Sequence, residues 1–136
     1  MRIVELRIAR TVLEKVIAHA HSATPAECCG LLLGTSDHVV DATPTHNVAA
    51  SPTRYLIDSA DHIAGRREAR QRGLDVVGFY HSHPHSAAAP SERDRAEAGY
   101  PDHLYLIVGL HVDPPDIQLF ALRDGNFRSV PFVTVG

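Results

Sequence analysis

No stretch of this sequence approaches the roughly 20 consecutive apolar residues that a membrane-spanning helix needs, so no such helix is expected. Lysine is nearly missing: Lys15 is the only one, and arginine carries the remaining positive charge. The net charge is −3, which gives no support to a general nucleic-acid-binding role. Basic residues gather only at Arg66, Arg67, Arg70 and Arg72, where they read as the solvated face of a helix. Cysteine is also scarce. Cys28 and Cys29 are adjacent, too close for ordinary disulfide geometry, and lack the C-x-x-C spacing of a metal clamp or redox pair. They are expected in the core of a reduced protein. The first residues, Met-Arg-Ile-Val-Glu-Leu-Arg, alternate apolar and charged side chains and contain no apolar centre of a signal peptide. A soluble, cytoplasmic protein with no membrane partner is expected.

What is present is ordinary globular material: 136 residues, 44% hydrophobic and 21% charged, enough for one domain over 1–136. Residues 2–8 alternate Ile3, Val4, Leu6 and Ile8 with charges, as a strand would. From Arg10 to Ala23 the apolar Val12, Leu13, Val16, Ile17 and Ala20 recur at helical spacing, and Thr24-Pro25 ends the helix. The run from Glu27 through Gly34 reads as a buried strand, with 38–43 as its partner. Arg54–Asp58 is a short strand candidate. Ser59 is expected to cap a helix to about Arg72, closed by Gly73. Leu74–His81 is the clearest strand, Ser91–Ala98 a short helix, and Leu104–Leu110 a buried strand. Ile117–Leu122 and Phe127–Val133 form a closing hairpin. The fold class is therefore α/β: a mixed sheet of about six to eight strands flanked by two or three helices.

Ten histidines are many for this length, but only two share a face by spacing. In Tyr80-His-Ser-His-Pro84, His81 and His83 are two apart on a strand and project to one side, about 6 to 7 Å apart along it. Pro84 then breaks the strand. Ser91-Glu-Arg-Asp94 follows Pro90, where Ser91 caps a helix and Asp94 lies in its first turn, suited to the positive end of the helix dipole. Serine and aspartate are common capping residues. Downstream of a strand-end His-x-His-Pro, however, they complete a set of two nitrogens and one oxygen. Three protein ligands with one corner left for water is the catalytic arrangement of zinc.

His81-Ser-His83-Pro84, six residues, Ser91, two residues and Asp94 resemble the signature of the JAMM/MPN metalloproteases. The family's upstream glutamate matches Glu27, in Pro25-Ala-Glu-Cys-Cys-Gly30-Leu-Leu-Leu-Gly34. The likeness runs from the first helix through the last strands. It implies a JAMM/MPN-like domain over 1–136, layered like a cytidine deaminase, with one Zn2+ per chain on His81, His83 and Asp94. It implies Glu27 as the proton carrier, Ser91 as the hydrogen-bond donor to the oxyanion, and Asn47, in a family-like loop, as a residue bordering the substrate. By similarity to short bacterial members, the reaction implied is hydrolysis of an amide bond at the C-terminal tail of a ubiquitin-like, sulfur-carrier protein, as in cysteine biosynthesis. The chain has no room for the long insertions with which some eukaryotic members grip ubiquitin chains. A homodimer is compatible with the sequence.

Two other functions compete. A non-catalytic interaction module of the same family would ordinarily lack the metal ligands, which are all present here. A zinc nucleobase deaminase expects His-x-Glu and Pro-Cys-x-x-Cys, and neither occurs.

Overall fold

Val12, Val16 and Ala20 fall four residues apart, and that stripe buries the first helix against the sheet. In the computed structural model, which describes residues 5–136, strand β1 (Arg7–Ala9) runs directly into helix α1 (Arg10–Ala23). Of the strand expected over 2–8, residues 2–4 lie outside the described residues. There follow β2 (Cys29–Thr35), β3 (His38–Thr45), α2 (Ser59–Gln71), β4 (Asp75–His83) and α3 (Glu92–Glu97). Strands β5 (Leu104–Gly109), β6 (Asp116–Arg123), β7 (Asn126–Ser129) and β8 (Val133–Val135) complete the chain. No helix among the described residues is long and apolar enough to cross a membrane.

The strands form one sheet in the order β7-β6-β5-β4-β2-β3-β1-β8. It is mixed: β4 and β5 run parallel, as do β1 with β3 and with β8, and the other pairs are antiparallel. Alternation along the strands divides the core between two faces. On one face Leu32, Tyr80, Leu106 and Val108 pack with Val12, Val16 and Ala20 of α1. On the other, Leu31, Leu33, Phe79 and Tyr105 pack with Ala69 of α2. His81 and His83 share the parity of Phe79, so they emerge on the α2 face, at the end of β4 where it pairs with Ile107 and Gly109 of β5.

Four expectations are corrected. The strand expected to end at His81 continues to His83, because its parallel pairing with β5 persists that far. Asp58, not Ser59, caps α2: its carboxylate accepts from the Ala60 amide at 2.9 Å. The closing strand expected over Phe127–Val133 is two strands. Pro131 lies between them and cannot donate to a ladder; β7 stays with β6, whereas β8 crosses to the far edge and joins β1. The segment 54–58 contributes only an isolated bridge, Ile57 to Asn47.

Gly30 shows how tightly β2 is built in. A Cβ there would collide with the Tyr80 ring and lie 2.5 Å from the Thr43 carbonyl oxygen. Overpacking of this kind costs about 1–3 kcal/mol. Gly30→Ala is expected to lower unfolding free energy by about 2 kcal/mol in a urea titration, since both neighbours are anchored in adjacent strands.

Candidate metal centre

Three donor atoms converge beyond the end of β4. His81 Nε2 and His83 Nε2 are 3.3 Å apart, and Asp94 Oδ2 lies 3.2 Å from the first and 3.1 Å from the second. All three residues are buried. Zinc–ligand bonds of about 2.0–2.1 Å in a tetrahedron place neighbouring donors about 3.3 Å apart, so the observed triangle fits one such ion. Two imidazole nitrogens that both present lone pairs have no attraction for each other; an ion between them would supply it.

Each donor is aimed by its own surroundings. His83 Nδ1 donates to the Ala87 carbonyl at 2.7 Å, which leaves the Nε2 lone pair facing the triangle. Asp94 sits in the first turn of α3 in a reciprocal cap: its amide donates to Ser91 Oγ at 3.0 Å, and the Ser91 amide donates to Asp94 Oδ2 at 2.9 Å. Burial pushes the Asp94 carboxyl up, but the His81 and His83 imidazoles against it outweigh this and hold it far below its ordinary range. Burial depresses His81 and keeps its ring neutral, as a metal ligand must be. His83 is also depressed by burial, but Asp94 and the Ala87 carbonyl more than reverse that.

Glu27 lies just before β2 and is 4% exposed, with Oε1 buried and unpartnered among the described residues. Burial raises its carboxyl to about 8, with His83 and Arg93 pulling it down and Asp94 pushing it up. Its backbone is fixed on both sides. The Glu27 amide donates to the Ser51 carbonyl at 2.8 Å, and its carbonyl accepts from Asn47 Nδ2 at 3.0 Å. The next amide, of Cys28, donates to Ser82 Oγ at 2.8 Å, so the serine between the two histidines ties the glutamate's strand to theirs.

Asn47 is fully engaged: Nδ2 also donates to the Arg54 carbonyl, and Oδ1 accepts from the Ala49 and Leu56 amides. Every polar atom of its side chain is committed to backbone, so it braces the loop over 48–57. Ser91 Oγ accepts from Asp94, which leaves its hydrogen available for another acceptor. The structure thus gathers His81, His83, Asp94, Glu27 and Ser91 in one region. Sequence spacing gave no sign of Tyr55, whose ring stacks on His81 with centroids 4.4 Å apart; an aromatic in a loop carries no periodic signal.

Other chemistry-bearing residues fall outside the site. His85 is exposed. Cys28 and Cys29 are buried and free, and burial pushes both thiols up to about 11, which makes them inert. The arginine group is divided: Arg72 pairs with Asp41 at 2.8 Å, Arg66 donates to His62 and lies over Tyr100, and Arg67 and Arg70 are exposed.

Comparison with known proteins gives the geometry its context. The sequence profile of the prokaryotic homologs of the JAB domain matches residues 9–123. A desampylase of Haloferax volcanii is 39% identical over 109 residues, covering 75% of this chain and 78% of that protein. A CysO-cysteine peptidase of Mycobacterium bovis is 32% identical over 130 residues, covering 93% and 88%. The solution structure of a protein from Desulfitobacterium hafniense superposes with a TM-score of 0.88 at 28% identity, covering 96% of this chain and 92% of that one.

Proposed function

This chain belongs to the prokaryotic JAB-domain family, and on that footing we propose that it is a zinc-dependent peptidase cutting the amide bond at the C-terminal tail of a ubiquitin-like carrier protein. The observation that carries the reading is the buried triangle of two imidazole nitrogens and one carboxylate oxygen, 3.1 to 3.3 Å on a side. His81, His83 and Asp94 hold the metal. When bound, zinc acidifies water to near neutrality and polarises the carbonyl to be attacked.

The protein's own groups do the rest. Glu27, buried and with one oxygen unpartnered, takes a proton from the attacking water in its carboxylate form, which a cation bound beside it would favour, and delivers that proton to the leaving amine. Ser91, oriented by the α3 cap, donates its free hydrogen to the oxyanion. Asn47 acts as a positioning residue: it holds Glu27 through its carbonyl and holds the loop beside it. A cavity of about 370 Å³ opens at Asp94, walled by Tyr55, Ile63, Phe79 and Tyr100, and provides room for an extended peptide. The names of the two curated relatives ground the choice of substrate class. The free, buried cysteines suit a reducing compartment, and the proposed site of action is the cytoplasm.

The test is incubation of the zinc-loaded protein with a small carrier whose tail is extended beyond its terminal Gly-Gly, followed by mass spectrometry. Cleavage at the tail, stopped by a chelator and restored by zinc, is expected. Stoichiometric zinc with the tail-extended carrier left whole would instead favour the non-catalytic module. In the same assay Ser91→Ala is expected to lower the rate by about 10²–10³-fold, the usual cost of an oxyanion donor. Its loss of stability should be only about 1 kcal/mol, the usual cost of a cap, read by urea unfolding.

A further inference from the structure

The two histidines at the metal centre are held in different ways. His83 has the outer partner usual for a metal-binding imidazole, the Ala87 carbonyl at 2.7 Å. His81 is the more deeply buried, 1% exposed, yet its Nδ1 has no hydrogen-bond partner among the described residues. No polar contact on the outer side of the ring therefore sets its plane. What lies against it is Tyr55, half-buried, with ring planes 21° apart and centroids 4.4 Å apart. The backbone on either side of that tyrosine is itself pinned, since the Arg54 carbonyl and Leu56 amide both bond to the Asn47 side chain.

We propose that Tyr55 is a positioning residue whose ring clamps His81 and takes the place of the missing outer hydrogen bond; the inference rests on the reading of His81, His83 and Asp94 as metal ligands. A stacked neighbour fixes the plane of the imidazole, whose Nδ1 is itself buried. Two orientations share that plane, half a turn apart about the Cβ–Cγ bond. One presents Nε2 to the triangle, the other Cε1. Only the first meets Asp94 Oδ2, at 3.2 Å, so plane and contact together select the orientation that binds. Without the stack the ring can tilt out of the triangle while remaining in its rotamer. The work is done by the flat face of Tyr55; its hydroxyl makes no hydrogen bond among the described residues.

The experiment compares zinc affinity of wild type, Tyr55→Phe, Tyr55→Leu and Tyr55→Met by competition with a chromophoric chelator, alongside thermal melting of the metal-free proteins. The phenylalanine variant is expected within about twofold of wild type. The leucine and methionine variants are expected to bind about 10-fold or more weakly, the scale for losing an outer partner of a metal-bound histidine. Their metal-free melting should match wild type, which separates a clamp from a general packing role. Two non-aromatic variants guard against one failing to fold. Leucine and methionine variants that bind zinc like wild type would overturn the clamp, as would a phenylalanine variant as weak as leucine. Wild-type protein that takes up no zinc would overturn the metal reading together with it.

Discussion

Glu27→Gln will keep its zinc and lose its hydrolysis. The substitution preserves shape and removes only the ability to accept and return a proton, a function worth about 10²–10⁴-fold in rate. None of the three atoms forming the metal triangle belongs to Glu27, so binding should persist. The same change should stabilise the metal-free protein at alkaline pH. The buried carboxyl titrates near 8 in the folded chain, above its ordinary value of 4.5. A group raised in this way supports the fold below its unfolded pKa, and that support is lost as pH rises from about 4.5 through about 8. The loss amounts to a few kcal/mol, at about 1.4 kcal/mol for each tenfold change in proton affinity. Urea unfolding of metal-free protein at pH 5 and pH 9 should therefore show wild type weakening relative to Glu27→Gln. Zinc and turnover both intact in the variant would remove Glu27 from its assigned role.

Loss of the ion itself is expected from His83→Ala and from Asp94→Asn, but with different consequences for the fold. Each removes one corner of a three-donor site, and zinc affinity should fall by more than the roughly 10–100-fold that an outer partner is worth. Removing His83 also strips the buried Asp94 carboxylate of one of its two histidine neighbours. A buried charge left short of partners costs several kcal/mol, so metal-free His83→Ala should melt well below wild type. Asp94→Asn leaves no such charge. Its side-chain oxygen can still accept from the Ser91 amide, so the cap of α3 survives and the metal-free stability should stay close to wild type. Zinc titration and thermal melting of the two variants distinguish these outcomes. Equal melting temperatures would show that the carboxylate is not held mainly by His83.

The parts of this site that were legible in the sequence are those governed by short-range rules. The two-residue spacing of His81 and His83 places both on one strand face in any register, and Ser91 with Asp94 forms a cap through contacts three residues apart. Helix α1 was legible for the same reason, its apolar positions recurring along one stripe. Contacts between distant segments left no such trace. Nothing local distinguishes Glu27 from a solvated glutamate, and only the family resemblance singled it out. Neither the stack of Tyr55 on His81 nor the four hydrogen bonds of Asn47 has a spacing signature, because both depend on how the loop after β3 folds back. The placement of β8 beside β1 is invisible for the same reason: a strand's own residues do not reveal which edge it will join.

The metal donors all arrive within one strand–loop–helix stretch, with Asp94 only 11 positions beyond His83, whereas the glutamate belongs to a segment joined to them across 54 positions at Cys28 and Ser82. On the proposed reading, the metal donors and the proton carrier thus come from separate portions of the polypeptide. A substitution of Glu27 alone would yield a silent zinc carrier, still loaded but unable to cut, so metal content alone is a poor proxy for competence in such a variant.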